Sequence, residues 1–506
     1  MKINKQIYRV LLVLSFLLLN ALILLGISKI LSYLNSGAER TSMLRLGIAE
    51  ERMHQPLLTW DTLSYEGRPV SMPALQQIEK DYLNAWYTRQ IAYQSNDIYG
   101  IEDYYTDSAR IHLYHLIKRH KIKDIHLESS TLTHRPKLHF FSADGKMVSF
   151  TDEKVQRYER IFKNNEVIYA SRDTANYRVL MLFEDGFWRI RHLVKQTATH
   201  FENNNQKQSS AYKFPFFIKG INYYPQDTPW DTFGDSFNTD VLQKDFEIIK
   251  NVGLNTIRVF VPYEDFGKVN VSQIHLKKLY KLLDVAGNQK LKVIITLFDF
   301  YGDYSVLNWT LTHRHAQQIV EHCRDHPALL AWDIKNEPDL DFDSRGKQLV
   351  LDWLQTMISQ IKYFDPEHPV TIGWSSPEAA SHLWDEVDFV SWHFYRDIEE
   401  LVPALRKLTA RIGNKPHMLQ EFGMSSYRGI WAPFGNSEKA QSQYHEKMQA
   451  FFKEEKVPFM SWTLYDFKNI PPGVTGRLPW RRNKQKYFGF IDPNGKKKKA
   501  FTHISH

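Results

Sequence analysis

The chain has 506 residues, more than one typical domain holds, and its 43% hydrophobic content supports a sizeable core. With 14% aromatic residues it is not a largely disordered chain, and its formal net charge of +8 comes from acidic and basic residues that interleave and so name no partner. One cysteine, Cys323, excludes an intrachain disulfide and reads as a small apolar helix residue. The lysine run in "GKKKKAF" near the C-terminus reads as a solvated loop, and no nucleic-acid-binding motif accompanies it.

At the N-terminus, Lys2, Lys5 and Arg9 precede Val10 to Ser28, an uncharged apolar run of 19 residues and long enough to span a bilayer. A cleaved signal peptide has a shorter apolar stretch and a small-x-small cleavage site, so residues 1–36 are expected to be a cytoplasmic stub and a retained transmembrane anchor. Positive charges before the span predict a cytoplasmic N-terminus. The rest of a single-pass protein then lies outside the cytoplasm, in the periplasm or on the cell surface.

Residues 44–200 read as an α+β domain. "PALQQIEKDYLNAWYTRQIAY" sets Leu75, Ile78, Tyr82 and Ala85 at helical spacing, and a second helix is expected over Ile101 to Arg119. Strand-like stretches follow at "IHLESSTL", "KLHFFSA", "VIYASRD", "YRVLMLFED" and "FWRIRHLVK", with turns at Ala143-Asp144-Gly145 and Glu184-Asp185-Gly186. Helices followed by hairpins imply one curved antiparallel sheet. This order resembles the NTF2-like cone, which implies a packing, spacing or partner-binding role or a small-ligand pocket. The polar stretch 201–215 reads as a linker.

From 216 to 506, eight short apolar stretches alternate with mostly helical segments: 217–225, 255–260, 292–299, 329–339, 369–376, 387–395, 417–426 and 458–467. "TDVLQKDFEIIKNVG" illustrates a connecting helix, opening on a capping residue and ending at Gly253. Near-continuous apolar strands suit a parallel sheet buried on both faces, and eight such units predict an α/β fold closed as a (β/α)8 TIM barrel. Chemistry in such a barrel sits at the C-terminal strand ends. Glu337 in "IKNEPD" ends the fourth strand and Glu421 in "QEFG" ends the seventh, so closure brings two carboxylates across one pocket. Hydrolysis of a glycosidic bond needs that pair, one to protonate the leaving oxygen and one to attack or activate water.

Asn336-Glu337-Pro338 on strand four and "QEFG" on strand seven resemble the acid/base and nucleophile motifs of the retaining glycoside hydrolases of the (β/α)8 clan, most closely family 5, the cellulase and mannanase family. The resemblance covers roughly 217 to 501 and implies Glu337 as proton donor and Glu421 as nucleophile. It further implies that Arg258 holds the nucleophile ionised, that His393 and Tyr395 of "HFY" line the pocket, and that Trp462 supports the sugar ring. Asn336 is expected to donate to the sugar 2-hydroxyl, and an Arg and a tyrosine hydroxyl are expected to lower the pKa of Glu421. An Asn-Glu-Pro tripeptide alone is a common loop, Arg258 alone an ordinary ion-pair partner and His393 alone a core histidine; their joint order along the strands carries the reading.

Strand three ends "TLFDFYGD", where many family 5 enzymes place a histidine, so Asp299 or Phe298 must act differently there. Tyr223, Tyr224, Phe260, Phe298, Trp374 and Trp462 suit stacking on sugar faces or filling the barrel mouth. Trp230 and Trp309 fall in loops. His322 and His326 have the i, i+4 spacing of a metal pair but no evident third ligand, so no metal and no organic cofactor is expected. Arg477, Arg481 and Arg482 gather in the loop after strand eight, as an anionic substituent or plain solvation requires.

The sequence therefore reads as a membrane-anchored retaining glycosidase acting on a β-linked polysaccharide or oligosaccharide. Transglycosylation at the same site, or a non-catalytic glycan-binding or assembly role in an envelope polysaccharide system, are the alternatives. A single anchor beside a small α+β domain points to placement near a polysaccharide synthesis or export complex.

Overall fold

The computed structural model describes residues 5–35, 54–63, 65–196, 212–475 and 478–505. It begins with the apolar helix Lys5–Asn35, whose Val13–Ile30 window has a mean hydropathy of 2.2 and is exposed along its whole length. By length and composition this one helix is sufficient to cross a membrane: 18 residues rise about 27 Å, close to the hydrocarbon thickness.

The first domain packs the helices Met72–Ser95 and Asp107–Ile122 on one face of a six-stranded sheet. Its strands are β1 (Leu57–Leu58), β2 (Ile125–His134), β3 (Pro136–Phe141), β4 (Met147–Lys163), β5 (Glu166–Glu184) and β6 (Phe187–Lys195). The order is β1-β2-β4-β5-β6, with β3 also on β4. Leu75, Ile78, Tyr82 and Ala85 are buried against the sheet, as their spacing predicts. The second expected helix breaks at Tyr105–Thr106 into Ile101–Tyr104 and Asp107–Ile122.

Two strand readings need correction. The stretches 167–173 and 177–185 are one strand, β5, and the 17-residue β4 was missed because "TDEKVQRYERIFK" carries charge at nearly every turn. Those charges are paired across the ladder, Arg157 on Asp173 and Arg160 on Glu128, so the segment is stable as a strand. The β4–β5 hairpin turns at Asn164-Asn165, with φ of 51° and 63°, the two-residue turn that matches strand twist. The sheet is also not wholly antiparallel. β1 pairs parallel with β2, because the intervening helices return the chain to the end at which β1 starts.

All eight expected barrel strands are present and pair parallel in a closed ring: β7 (Lys219–Asn222), β8 (Thr256–Pro262), β9 (Lys292–Asp299), β10 (Leu329–Asn336), β11 (Val370–Trp374), β12 (Val390–Phe394), β13 (His417–Phe422) and β14 (Phe459–Ser461). The helix Thr239–Asn251 is capped by Asn238, whose side chain accepts from the Asp240 N–H, and not by Thr239. Between β11 and β12 the connection holds only the 3-10 turn Ala379–Ser381, and after β14 the chain closes on the 3-10 turn Lys499–His503. Trp309 lies in no loop: it opens the helix Trp309–Cys323 and is fully buried.

That tryptophan joins the two domains. Tyr158 of β4 packs on Trp309 with ring centres 4.3 Å apart and donates its hydroxyl to Asp352 of the helix Lys347–Phe364. Gln360 to Gln156, at 2.8 Å, extends the seam. The outer face of the sheet is thus seated on the barrel's flank, and Leu132 and Tyr158 belong to the barrel's hydrophobic core. Of the expected linker, residues 201–211 lie outside the described residues; Tyr212 and Phe214 then pack on Phe389 at the end of the barrel remote from the catalytic strand ends.

Candidate active site

The eight strands deliver their last residues to one mouth. At the end of β10 the backbone turns sharply: Glu337 takes a left-handed conformation, φ 48° and ψ 51°, and Pro338 opens the 3-10 turn Pro338–Asp341. The Glu337 N–H donates to the Gly373 carbonyl at 2.6 Å, which pins this turn to β11. A Cβ at Gly373 would lie 2.7 Å from Gln420 Oε1 and 2.8 Å from Arg258 Nη2, so only glycine admits those side chains. The buried strand ends on Asn336-Glu337 because the tight turn swings the carboxylate over the barrel axis. A left-handed non-glycine residue is a strained position of the kind that collects at functional sites.

Glu421, near the end of β13, faces it. Oxygens of the two carboxyls and Nδ1 of His393 all lie within 4.8 Å of one another. His393 Nδ1 stands 3.0 Å from Glu337 Oε1 and 3.1 Å from Glu421 Oε2. The Tyr395 hydroxyl donates to Glu421 Oε1 at 2.9 Å, while its ring remains exposed in the cleft. Arg258 Nη1 reaches Glu421 Oε2 at 3.4 Å, and Nη2 donates to Asn336 Oδ1 at 3.0 Å. These three ligand-bearing side chains have cation-site spacing, but Arg258 already places a fixed positive charge on Glu421.

Burial pushes the Glu421 carboxyl above its ordinary range; His393 and Arg258 charges and the Tyr395 bond pull it down, and Glu337 adds to the rise. The net direction is opposite to the lowering expected from its partners alone, because the sequence reveals the partners but not the desolvation. Burial also depresses His393, yet the negative charge of Glu421 and the bond and charge of Glu337 outweigh it and leave the imidazole above its usual value. The Tyr395 hydroxyl is raised well above its usual value, first by burial, and stays a neutral donor.

Beneath the carboxylates lies a polar layer that sequence reasoning missed. Arg258 is fully buried, and its Nη2 and Nε sit 2.6 Å and 3.0 Å from Asp333 Oδ2. Thr296 donates to the same oxygen at 2.7 Å, Asn222 Oδ1 accepts from Arg258 at 3.1 Å, and Gly373 N–H donates to Asp333 Oδ1 at 2.9 Å. The signal available was a charged residue, Asp333, inside the apolar run "LLAWDIKN".

The remaining candidates divide. Tyr224 stacks on Phe260 at 5.0 Å, donates to Asp299 at 3.3 Å and meets the Trp462 ring edge-on at 6.0 Å, so these side chains form one wall. Trp230 joins it, 5.1 Å from Tyr224. Tyr223, Phe298 and Trp374 are buried fillers: the Tyr223 hydroxyl is held by Asp245, and Phe298 abuts Trp353. His322 and His326 do not form a metal pair; both rings face Tyr280, and His326 bonds Asp284 at 3.1 Å. Arg481 and Arg482 lie on the helix Pro479–Lys486, and Arg477 lies outside the described residues.

The family model described as cellulase (glycosyl hydrolase family 5) matches residues 210–468. The beta-glucuronidase of Chlorocebus aethiops is 26% identical over 281 residues, covering 52% of this chain and 40% of the relative. The chain therefore spans about two fifths of the length of such curated relatives. Among solved structures, the exo-beta-1,4-mannosidase Op5Man5 from Opitutaceae bacterium strain TAV5 has a TM-score of 0.48 and 19% identity, over 57% of this chain and 58% of that one. A b-glucuronidase from Ruminococcus gnavus in complex with D-glucuronic acid has a TM-score of 0.45 and 15% identity, over 75% and 68%.

Proposed function

This chain belongs to glycosyl hydrolase family 5, and on that premise we propose that it cleaves a β-linked polysaccharide or oligosaccharide with Glu337 as acid/base and Glu421 as nucleophile. The observation that carries the assignment is the spacing of the two carboxyls, with oxygens within 4.8 Å. Retaining enzymes hold the pair about 5–5.5 Å apart, whereas inverting enzymes leave room for a water.

In the first step Glu421 attacks the anomeric carbon while Glu337 gives its proton to the departing oxygen. In the second, Glu337 takes a proton from water as that water displaces Glu421. Forming the glycosyl ester removes one negative charge from the pair, so the proton affinity of Glu337 falls when it must become a base. Arg258, Tyr395 and His393 hold Glu421 in its attacking orientation, and Glu337, Glu421 and His393, each in the field of the others, share protons as a unit. Asn336, oriented by Arg258, takes the sugar 2-hydroxyl. Trp462, Tyr224 and Asp299 form the wall of the bound ring.

The helix Lys5–Asn35 serves as the anchor in this reading, with its basic N-terminal flank in the cytoplasm and the barrel outside. Protease protection in intact cells and in inverted vesicles tests that topology; degradation of the barrel only in inverted vesicles would reverse it.

The catalytic test uses the detergent-solubilised full chain on a panel of β-linked glycans, following the first-formed anomer by NMR. Retention is expected, with Glu337→Ala and Glu421→Ala each lowering kcat by about a thousandfold or more. Azide added to a Glu421→Gly variant should give the inverted glycosyl azide, and added to Glu337→Ala the retained one. An inverted first product from the unmodified protein, or full activity in either variant, overturns the assignment.

A further inference from the structure

The first domain holds a cluster of aromatic side chains around a cation, Arg89, that the barrel chemistry does not use. The helix Met72–Ser95 presents Tyr82, Trp86, Arg89 and Tyr93 toward the sheet at three- and four-residue steps. The Arg89 guanidinium lies 3.9 Å over the Trp86 ring and 5.9 Å from that of Tyr93. Its Nε is buried without a hydrogen-bond partner, and among the described residues no carboxylate pairs with it. The hydroxyls of Tyr105, Tyr93, Tyr177 and Tyr82 lie around it.

Carboxylates are present nearby but engaged. Arg157 on β4 takes Asp173 with both Nε and Nη2, at 3.0 and 2.9 Å, and Glu159 at 3.3 Å; Lys195 also holds Asp173 at 3.0 Å. Tyr93 stands in the fields of both Arg89 and this cluster, so the two lie close to one another around its ring. One position after Arg89, the side chain of Gln90 is 1% exposed and neither its nitrogen nor its oxygen has a partner.

A buried N–H without an acceptor is costly, as at Arg89 Nε, and buried amides are nearly always bonded. The planar fork of arginine fits a carboxylate with two parallel hydrogen bonds, and aromatic faces accept the C–H face of a sugar ring. We propose that this cluster lines a pocket for the carboxylate of an acidic sugar residue, a uronate, held on Arg89, with the ring against Tyr93. The choice of a sugar rests on the chain being a glycoside hydrolase, whereas the anion site rests on Arg89. Because the opposite face of the sheet is seated on the barrel, the pocket gives the enzyme a second hold on an acidic glycan.

Isothermal titration of the full chain with D-glucuronate, D-glucose, N-acetylglycine and inorganic phosphate tests this. Saturable glucuronate binding is expected, at least tenfold tighter than any of the other three, lost in Arg89→Gln and weakened about tenfold in Arg89→Lys, with melting temperature and glycosidase turnover unchanged. Glu337→Ala and Glu421→Ala should bind glucuronate as the unmodified chain does, whether or not the catalytic assignment survives. Absence of saturation, equal binding by Arg89→Gln, or loss of binding in the barrel variants overturns the site. Phosphate or N-acetylglycine binding as tightly as glucuronate overturns the sugar.

Discussion

Arg258 connects the paired carboxylates Glu337 and Glu421 to the packed interior, so on the proposed assignment its removal should register in both activity and stability. Arg258→Met leaves Asp333, which is 0% exposed, without its partner. Breaking a buried pair from one side costs about 3–5 kcal/mol, and urea denaturation should show a loss of that size alongside a large fall in kcat. At His393 the expected outcome is a change in the pH profile. Its positive charge lowers the Glu421 pKa, so His393→Asn should move the acid limb of kcat/KM to higher pH; an unmoved limb would mean that His393 is neutral in the free enzyme. The cluster of Glu337, Glu421, Arg258, His393 and Tyr395 was legible because four of them lie at or next to the C-terminal end of a barrel strand and Arg258 lies inside one, each within a short motif. Asp333, Thr296, Asn222 and Gln420 were not, because they come from four strands and meet only when the barrel closes.

At the scale of elements, the barrel strands announced themselves as apolar runs between helical stretches, while β4 was hidden by its own charges. Its hairpin offers a direct check. Asn164 and Asn165 both sit at positive φ, where asparagine is tolerated and a β-branched residue is penalised by about 1–2 kcal/mol. Asn165→Val should therefore lower the melting temperature by a few degrees, while Asn165→Gly should leave it unchanged or raise it; thermal scans of the full chain distinguish the two. The missing helix between β11 and β12 was not legible either. Those residues supply the turn Ala379–Ser381 and the Ser375 N–H that donates to Asp339 at 3.0 Å, so the segment braces the Glu337 turn instead of covering the sheet.

For the whole molecule, burial of histidines sets the acid limit. His313 and His445 are depressed to about 3 and His315 to about 4, each chiefly by burial. Their folded pKa values lie below the unfolded value of about 6.5, so their contribution to stability is complete above that pH and is lost as pH falls toward 4. Each should steepen the decline by about 1.4 kcal/mol per pH unit below 6, as measured by urea unfolding between pH 7 and 4.5. His445 lies among Phe422, Tyr444 and Phe490 and has no hydrogen-bond partner on either ring nitrogen, so His445→Phe should flatten the curve without loss at neutral pH. The sequence indicated two folded units but not their seam, since Tyr158 and Trp309 are ordinary aromatic residues until they touch. With the sheet bonded to the barrel's flank through Tyr158, Gln156 and Arg135, the first domain cannot swivel on the barrel. The barrel mouth and the sheet therefore travel together as one piece of cargo.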